Sequence, residues 1–367
     1  MIRSETMTLV RLMRGGVLLT AVGLGLAHSA EHVVVISVDG LRPAAVNGLG
    51  QDQLPHFFRL RTEGVWTDNA RTDYDFTYTV ANHVSIVTGR GVKGDAGHRY
   101  GNNGNPSTGQ TLHRTNGNYV AGMFDAAHDA GLATALYCTK DKLVILDWSY
   151  NADAGAPDVT GEDNGPDKID SYIDGPVTDN RSTAVVEAWI ADSRTHGFQL
   201  SLLHLIDPDA QGHGDNWETQ AYFDAVIRVD EYLGSVLDFV ETEPGWAGRT
   251  TIILTADHGG AGGSHGDPAD PENYVIPFYV WGADVGPGNR GRDLYALNLD
   301  SRTDPERSRP TYGSEGQPVR NGDAANLALD LLGLPPIPGS TINARQELKT
   351  EPTKEEGRGL APLPGCW

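Results

Sequence analysis

The run Val33-Val-Val-Ile-Ser-Val38 is apolar on both faces of any strand it forms, and it closes on Asp39-Gly40. A strand with no polar face belongs inside a sheet that is covered on both sides. Two later runs share this design: Leu202 to Ile206 leads to Asp209-Ala-Gln-Gly-His213, and Thr251-Ile-Ile-Leu254-Thr-Ala leads to Asp257-His258. Helical patterns lie between the strands. Pro55 to Glu63 precedes a short strand around Val65, and Thr79 to Val87 follows. Tyr119 to Ala130 feeds the strand Ala133 to Cys138, and Ala184 to Ser193 precedes Leu200 to Ile206. The long amphipathic stretch Thr219 to Val240 leads into Thr251 to Thr255. Val275 to Trp281 reads as a last strand, and Asp323 to Leu332 as a helix stopped by Gly333 and Pro335. This alternation predicts an α/β fold with a mostly parallel central sheet and helices on both faces.

Such sheets bind their ligands outside the carboxyl ends of the strands. Asp39, Asp209, Asp257 and His258 fall at that edge, with His213 close behind and His265 the last of the twelve histidines. Singly, each has an ordinary reading as a turn, a polar loop or a helix cap. Together, three Asp and three His can hold two borderline ions, with positions left open for a substrate. Imidazole and carboxylate suit zinc, and open coordination marks a catalytic site rather than a structural one. The set predicts a two-metal hydrolase. Thr79, in Thr79-Val-Ala-Asn-His83-Val-Ser-Ile-Val-Thr88-Gly, is the candidate nucleophile. A hydroxyl at a helix N-terminus faces free N–H groups, a cradle for phosphate. A nearby metal would lower its pKa. The ordinary alternative is a cap, and Thr77 is a close neighbour. His83, one turn in, reads as a buried hydrogen-bonding residue.

Residues 1–30 read as a secretory signal: Arg3, Arg11 and Arg14 make a basic start, Gly15 to Ala27 is short and apolar, and Ala27-His-Ser29 offers small residues for cleavage. The expected product is exported, periplasmic or secreted, with no later stretch apolar enough to span a bilayer. Removing residues 1–30 takes a net +2 from a formal charge of −21 and leaves −23. That excess argues against a nucleic-acid backbone as partner. A small phosphorylated substrate remains compatible, because bound dications reverse the local sign. Residues 31–345 are expected to form the catalytic domain and 346–367 a C-terminal tail. Within it, 143–181 are rich in Asp with a single Lys, show little periodicity, and read as a long loop or small cap beside the site. The spacing of an EF-hand is absent there, so a solvated surface segment is expected. Cys138 and Cys366 can pair only if the fold brings them together. The sequence leaves the oligomeric state open.

The set Asp39-Gly, Thr79-x-x-Asn-His with Thr88-Gly, Asp209-x-x-Gly-His213 and Asp257-His258-Gly resembles the alkaline phosphatase superfamily. Its type I phosphodiesterase/nucleotide pyrophosphatase branch is the nearest likeness, from Asp39 to Pro335. The resemblance implies that Asp209, His213 and His265 hold one zinc and that Asp39, Asp257 and His258 hold a second beside Thr79. It implies an amide from Asn102, or from Asn103, on a phosphoryl oxygen. Two features depart from the branch: His265 follows Asp257-His258 unusually closely, and Val80 and His204 stand where a base-stacking aromatic is common. Thr139-Lys140-Asp-Lys142 is similar to the lysine stretch of phosphonoacetate hydrolase and related monoesterases, which implies that Lys140 and Lys142 bind extra substrate charge.

The function expected is therefore a phosphoric ester hydrolase acting through a phospho-threonine. The alternatives are a phosphate monoesterase or phosphonoacetate hydrolase-like enzyme, and a non-catalytic zinc-bearing module. An arylsulfatase needs Cys or Ser in a Cys/Ser-x-Pro-x-Arg setting, which this chain lacks. Gly259-Gly-Ala-Gly-Gly263 lacks the ending of a P-loop and reads as a bend that carries the chain back to His265.

Overall fold

The largely apolar run from Val33 becomes β1 (His32–Val38), every residue of it buried, at the centre of the sheet. The structure, a computed structural model, describes residues 30–158, 161, 163–175 and 180–351. The proposed signal segment, apart from Ala30, lies outside the described residues, as do most of the tail and Cys366. The other strands are β2 (Val65–Arg71), β3 (Thr134–Cys138), β4 (Ser171–Asp174), β5 (Leu200–Leu205), β6 (Thr250–Thr255) and β7 (Val275–Gly282). They form one seven-stranded sheet in the order β2-β7-β6-β1-β5-β3-β4. β6, β1, β5, β3 and β4 run parallel; β7 is antiparallel to both β6 and β2.

Helices gather into two sets. Thr79–Thr88, Met123–Asp129 and Asp323–Leu331 pack on one another, the last also against β1 and β6. The second set surrounds the long helix Gln220–Thr242, which buries Tyr222, Val226, Val229, Leu233 and Val240 along one stripe. Trp189, on Arg181–His196, meets Phe239 and Trp246 edge-on beneath that stripe. Each such buried side chain contributes on the order of 1.5–3 kcal/mol.

The acidic segment is less loop-like than its composition suggests. It holds the helix Val144–Tyr150, and residues 171–174 form the edge strand β4. Leu143, Ile145, Leu146 and Tyr150 are buried, which explains the helix. Nor is the segment wholly solvated, since Asp158 and Lys168 are buried too. Cys138 is a free, buried thiol in β3.

The sheet order places the carboxyl ends of β6, β1, β5 and β3 side by side. Asp257, Asp39, Asp209 and Lys140 follow those four strands in turn, so residues distant in sequence meet along one edge.

Candidate active site

Asp39 and Asp209 are locked together by backbone. Asp209 N donates to the Asp39 carbonyl (3.1 Å), and Gly40, at φ +70°, has the Asp209 Cα only 2.9 Å from where a Cβ would stand. Any side chain at position 40 would push the two acids apart. Asp257 accepts from Gly40 N (3.2 Å) and His258 N (2.9 Å) through Oδ1. Its other oxygen, with Asp39 Oδ1 and Asp209 Oδ1, is buried without a hydrogen-bond partner.

The histidines complete the picture through their far nitrogens. A carbonyl oxygen only accepts, so a ring nitrogen bonded to one carries the proton. His258 Nδ1 donates to the Gly259 carbonyl (2.7 Å), His265 Nδ1 to that of Thr77 (2.6 Å), and His213 Nδ1 to that of Gly263 (3.2 Å). Burial holds His258 and His265 below the ordinary histidine range and therefore neutral. The rings of His258 and His265 thus aim an Nε2 lone pair at the carboxylates, and His213 turns its Nε2 the same way. His258 Nε2 is 3.4 Å from Asp39 Oδ1, 3.3 Å from Asp257 Oδ2 and 3.8 Å from Asp209 Oδ1. His265 Nε2 lies 3.7 Å from Asp209 Oδ1, and His213 Nε2 lies 3.4 Å from it. His213 and His265 face each other nitrogen to nitrogen at 3.1 Å.

Lone pairs turned on one another and carboxylate oxygens buried without donors are a donor set that fits cations. Two triads emerge: Asp39, Asp257 and His258, and Asp209, His258 and His265. His258 faces both, whereas His213 stands at the rim, its side chain 47% exposed. This grouping differs from a strict three-and-three division, because the stacked rings of His258 and His265 (3.6 Å) keep both near Asp209.

Thr79 opens its helix beside these groups, its Oγ1 3.3 Å from His258 Nε2. Tyr78, the N-cap, makes no side-chain cap, so the first-turn N–H groups are left to other partners. Thr77 instead donates to the His265 carbonyl (2.5 Å), which removes it as a rival nucleophile. Lys142 Nζ donates to Thr79 Oγ1 (3.1 Å) and to Asn103 Oδ1 (3.2 Å), and Asn103 Oδ1 also accepts from Val80 N (3.2 Å). Asn102, the residue expected here, does not reach the site: its Oδ1 accepts from Gly104 N (3.0 Å), a local turn that leaves the side chain exposed. Asn103 takes the place beside Thr79.

Lys140 Nζ lies between the two acid groups, 2.7 Å from Asp39 Oδ2 and 2.5 Å from Asp209 Oδ2. Burial alone would favour its neutral form, but Asp39 and Asp209 overcome that and raise its pKa. Burial and then the Lys140 charge lower that of Lys142.

Two buried histidines support the site from beneath. His204 accepts from Thr139 N at Nδ1 (3.3 Å) and donates from Nε2 to Asp39 Oδ2 (2.9 Å). His83 donates to the Thr79 carbonyl (2.7 Å) and accepts from Ser37 Oγ (2.9 Å). His204 and Val80 are wholly buried, so neither offers a face to a nucleobase. Trp217 fills the space under His213 and His265 and donates to the Gly40 carbonyl (2.9 Å). A Cβ on Gly260 would come within 2.1 Å of the Trp217 ring. Gly260→Ala is therefore expected to lower unfolding stability by about 1–3 kcal/mol and to weaken metal retention, measurable by urea denaturation and by metal content after dialysis. An unchanged denaturation midpoint would show that Trp217 is not held as tightly as its surroundings imply.

This α/β fold, with its seven-stranded, mostly parallel sheet, matches solved structures of the alkaline phosphatase superfamily. A solved member of that superfamily from Vibrio parahaemolyticus superposes with a TM-score of 0.56 at 14% identity, covering 87% of this chain and 70% of its own. Murine ectonucleotide pyrophosphatase/phosphodiesterase 5, solved as an inactive variant with AMP, gives 0.54 at 14% identity, over 84% of this chain and 96% of its own. More narrowly, residues 33–278 match the model of the type I phosphodiesterase / nucleotide pyrophosphatase family, and the chain belongs to that family. Among curated relatives, mouse GPI ethanolamine phosphate transferase 1 is 27% identical over 198 residues, 52% of this chain and 20% of that protein. Its Candida glabrata counterpart is 40% identical over 103 residues, 28% and 11% respectively. The chain thus spans a fifth or less of the length of these relatives. Among the described residues, no helix is long and apolar enough to cross a membrane.

Proposed function

We propose that this chain is an exported two-zinc phosphoric diester hydrolase working through a phospho-threonine at Thr79, with residues 31–345 as its catalytic domain. One observation carries the reading: three imidazole Nε2 atoms and three unpartnered carboxylate oxygens converge, and one of those rings, His258, touches the Thr79 hydroxyl. Asp39, Asp257 and His258 would hold one ion, and Asp209 and His265 the other, with His213 completing it from the rim. When bound, such ions would polarise the phosphoryl group and make the threonine hydroxyl more acidic.

The chain's own residues do the rest. His83 fixes the Thr79 backbone, and Lys142 donates to Thr79 Oγ1, favouring its deprotonated form. As the Thr79 Oγ–P bond forms, the opposite ester P–O bond breaks, and the hydroxyl proton reaches the departing alcohol by way of solvent. Lys142, the Asn103 amide and the helix N-terminus face the charge on the non-bridging oxygens. Water then attacks the same phosphorus, restoring Thr79 and releasing a phosphomonoester.

Lys140 is engaged with Asp39 and Asp209 and reaches Thr79 Oγ1 only at 3.4 Å, whereas Lys142, free of the acids, donates to that oxygen at 3.1 Å. Lys142 therefore decides between the diesterase and the monoesterase or phosphonoacetate hydrolase-like alternative. Lys142→Ala is expected to lower p-nitrophenyl phosphate cleavage at least about tenfold more than bis-p-nitrophenyl phosphate cleavage, because the monoester carries an additional charge. Equal losses would remove this role. Rates on those two esters, ATP and phosphonoacetate test the substrate class.

The curated relatives' name favours a second reading, in which an alcohol rather than water accepts the phosphoryl group. Adding ethanolamine to a diester assay separates the two: formation of a mixed phosphodiester of ethanolamine identifies a transferase, and unaltered release of the phosphomonoester a hydrolase.

A further inference from the structure

The acidic segment and the helix Met123–Asp129 enclose a second group of acids that shares no residue with the proposed catalytic site. Asp125 and Asp129 are one turn apart on that helix, and Asp158 reaches them from the segment; their ligand oxygens lie within 4.8 Å of one another. The cation in their midst is Lys168, wholly buried, 2.5 Å from Asp129 Oδ1, 2.9 Å from Asp158 Oδ2 and 3.9 Å from Asp125 Oδ1. It also donates to the Asp163 carbonyl. Lys168 thus satisfies two of the acids and leaves the third at a distance.

Asp125 is that third acid. Its residue is 1% exposed, and neither carboxylate oxygen has a hydrogen-bond partner. A buried carboxylate pays a large desolvation penalty unless a charge or donors meet it. With one ammonium among three acids, burial and then the Asp158 and Asp129 charges push the Asp125 carboxyl up to about 8, so it holds a proton that a divalent ion would displace. The donors are oxygens alone, with the Asp163 carbonyl adjoining, a set that suits calcium and its hard relatives rather than zinc.

We propose that Asp125, Asp129 and Asp158 form a binding site for a divalent cation of the calcium class, which ties the acidic segment to the helix Met123–Asp129, with Lys168 as its monovalent competitor. The segment has no EF-hand spacing because two of the site's acids lie on a helix outside it. Competition from Lys168 makes the site weak, of the affinity seen in extracellular calcium modules, about 0.1–1 mM.

The test uses the full chain loaded with zinc, titrated with calcium chloride by calorimetry and thermal melting at constant ionic strength. Wild type is expected to show one saturable event and a rise in melting temperature. Asp125→Asn, which keeps the side-chain shape, is expected to lose both while retaining its zinc content and diester turnover. Lys168→Met is expected to bind calcium at least about tenfold more tightly, the competitor being gone. No saturable binding by wild type up to about 10 mM, or equal binding by Asp125→Asn, would overturn the proposal, whether or not Lys168→Met folds. Loss of turnover on bis-p-nitrophenyl phosphate in Thr79→Ala bears on the catalytic site alone and leaves this result untouched.

Discussion

Replacing Thr79 with alanine is expected to cut turnover of bis-p-nitrophenyl phosphate by at least about a thousandfold, with bound metal and melting temperature unchanged. The size follows from the role. A group that forms the covalent bond has no substitute in the site: Thr77 is bonded to the His265 carbonyl, and Lys142 is a donor to the attacking oxygen rather than a replacement for it. The fold should tolerate the change, since the hydroxyl caps nothing and the helix is fixed by Asn82, whose Nδ2 donates to the carbonyls of Phe76 (2.9 Å) and Tyr78 (3.1 Å). Thr79→Ser, which keeps an oxygen at that place, should retain a substantial part of the rate. Full activity in the alanine variant would transfer the nucleophile's role to water and end the covalent reading.

Stripping the metals is expected to have the second large effect. Chelation should bring diester turnover to background, and zinc should restore it. At a thousandfold excess over Kd, each bound ion would add about 4 kcal/mol to unfolding stability, so melting temperature should fall on chelation and recover with zinc. The carboxylates give the physical reason. Burial drives the Asp257 carboxyl well above its usual range, and the neighbouring Asp39 charge adds to this. Burial pushes Asp39 the same way, but Lys140, then the His204 hydrogen bond and His258, hold it well below. One ammonium thus balances part of a crowded set of acids, and dications would balance the remainder. Activity and melting temperature that ignore a chelator would exclude metal ions from both roles.

The central sheet was legible because β1, β5 and β6 are buried on both faces and carry that fact in nearly continuous apolar runs. The direction of β7 was not legible, since a short apolar run has the same composition whichever way it pairs. The start of the helix at Met123 rather than Tyr119 reflects Gly122, whose extended backbone delays helix entry. The acids at the strand ends were legible for the same reason as the strands: a polar residue closing an apolar run must lie at the sheet's edge. His204 was harder, because its partner Asp39 is fixed by strand register, which sets Ser37 opposite His204. Asn102 and Asn103 differ by one position in an irregular loop, and only the turn closed by Gly104 N decides which faces Thr79. Asp125 and Asp129 carry no signal in sequence, being ordinary polar positions on a helix until Asp158 folds against them.

The most direct measurement is anomalous diffraction at the zinc edge from crystals grown with zinc. Two peaks are expected beside Thr79, one among Asp39, Asp257 and His258 and one at Asp209 and His265 with His213 turned toward it. A map with zinc bound only elsewhere, or with Lys140 still seated between Asp39 and Asp209 at saturating zinc, would contradict the two-metal site.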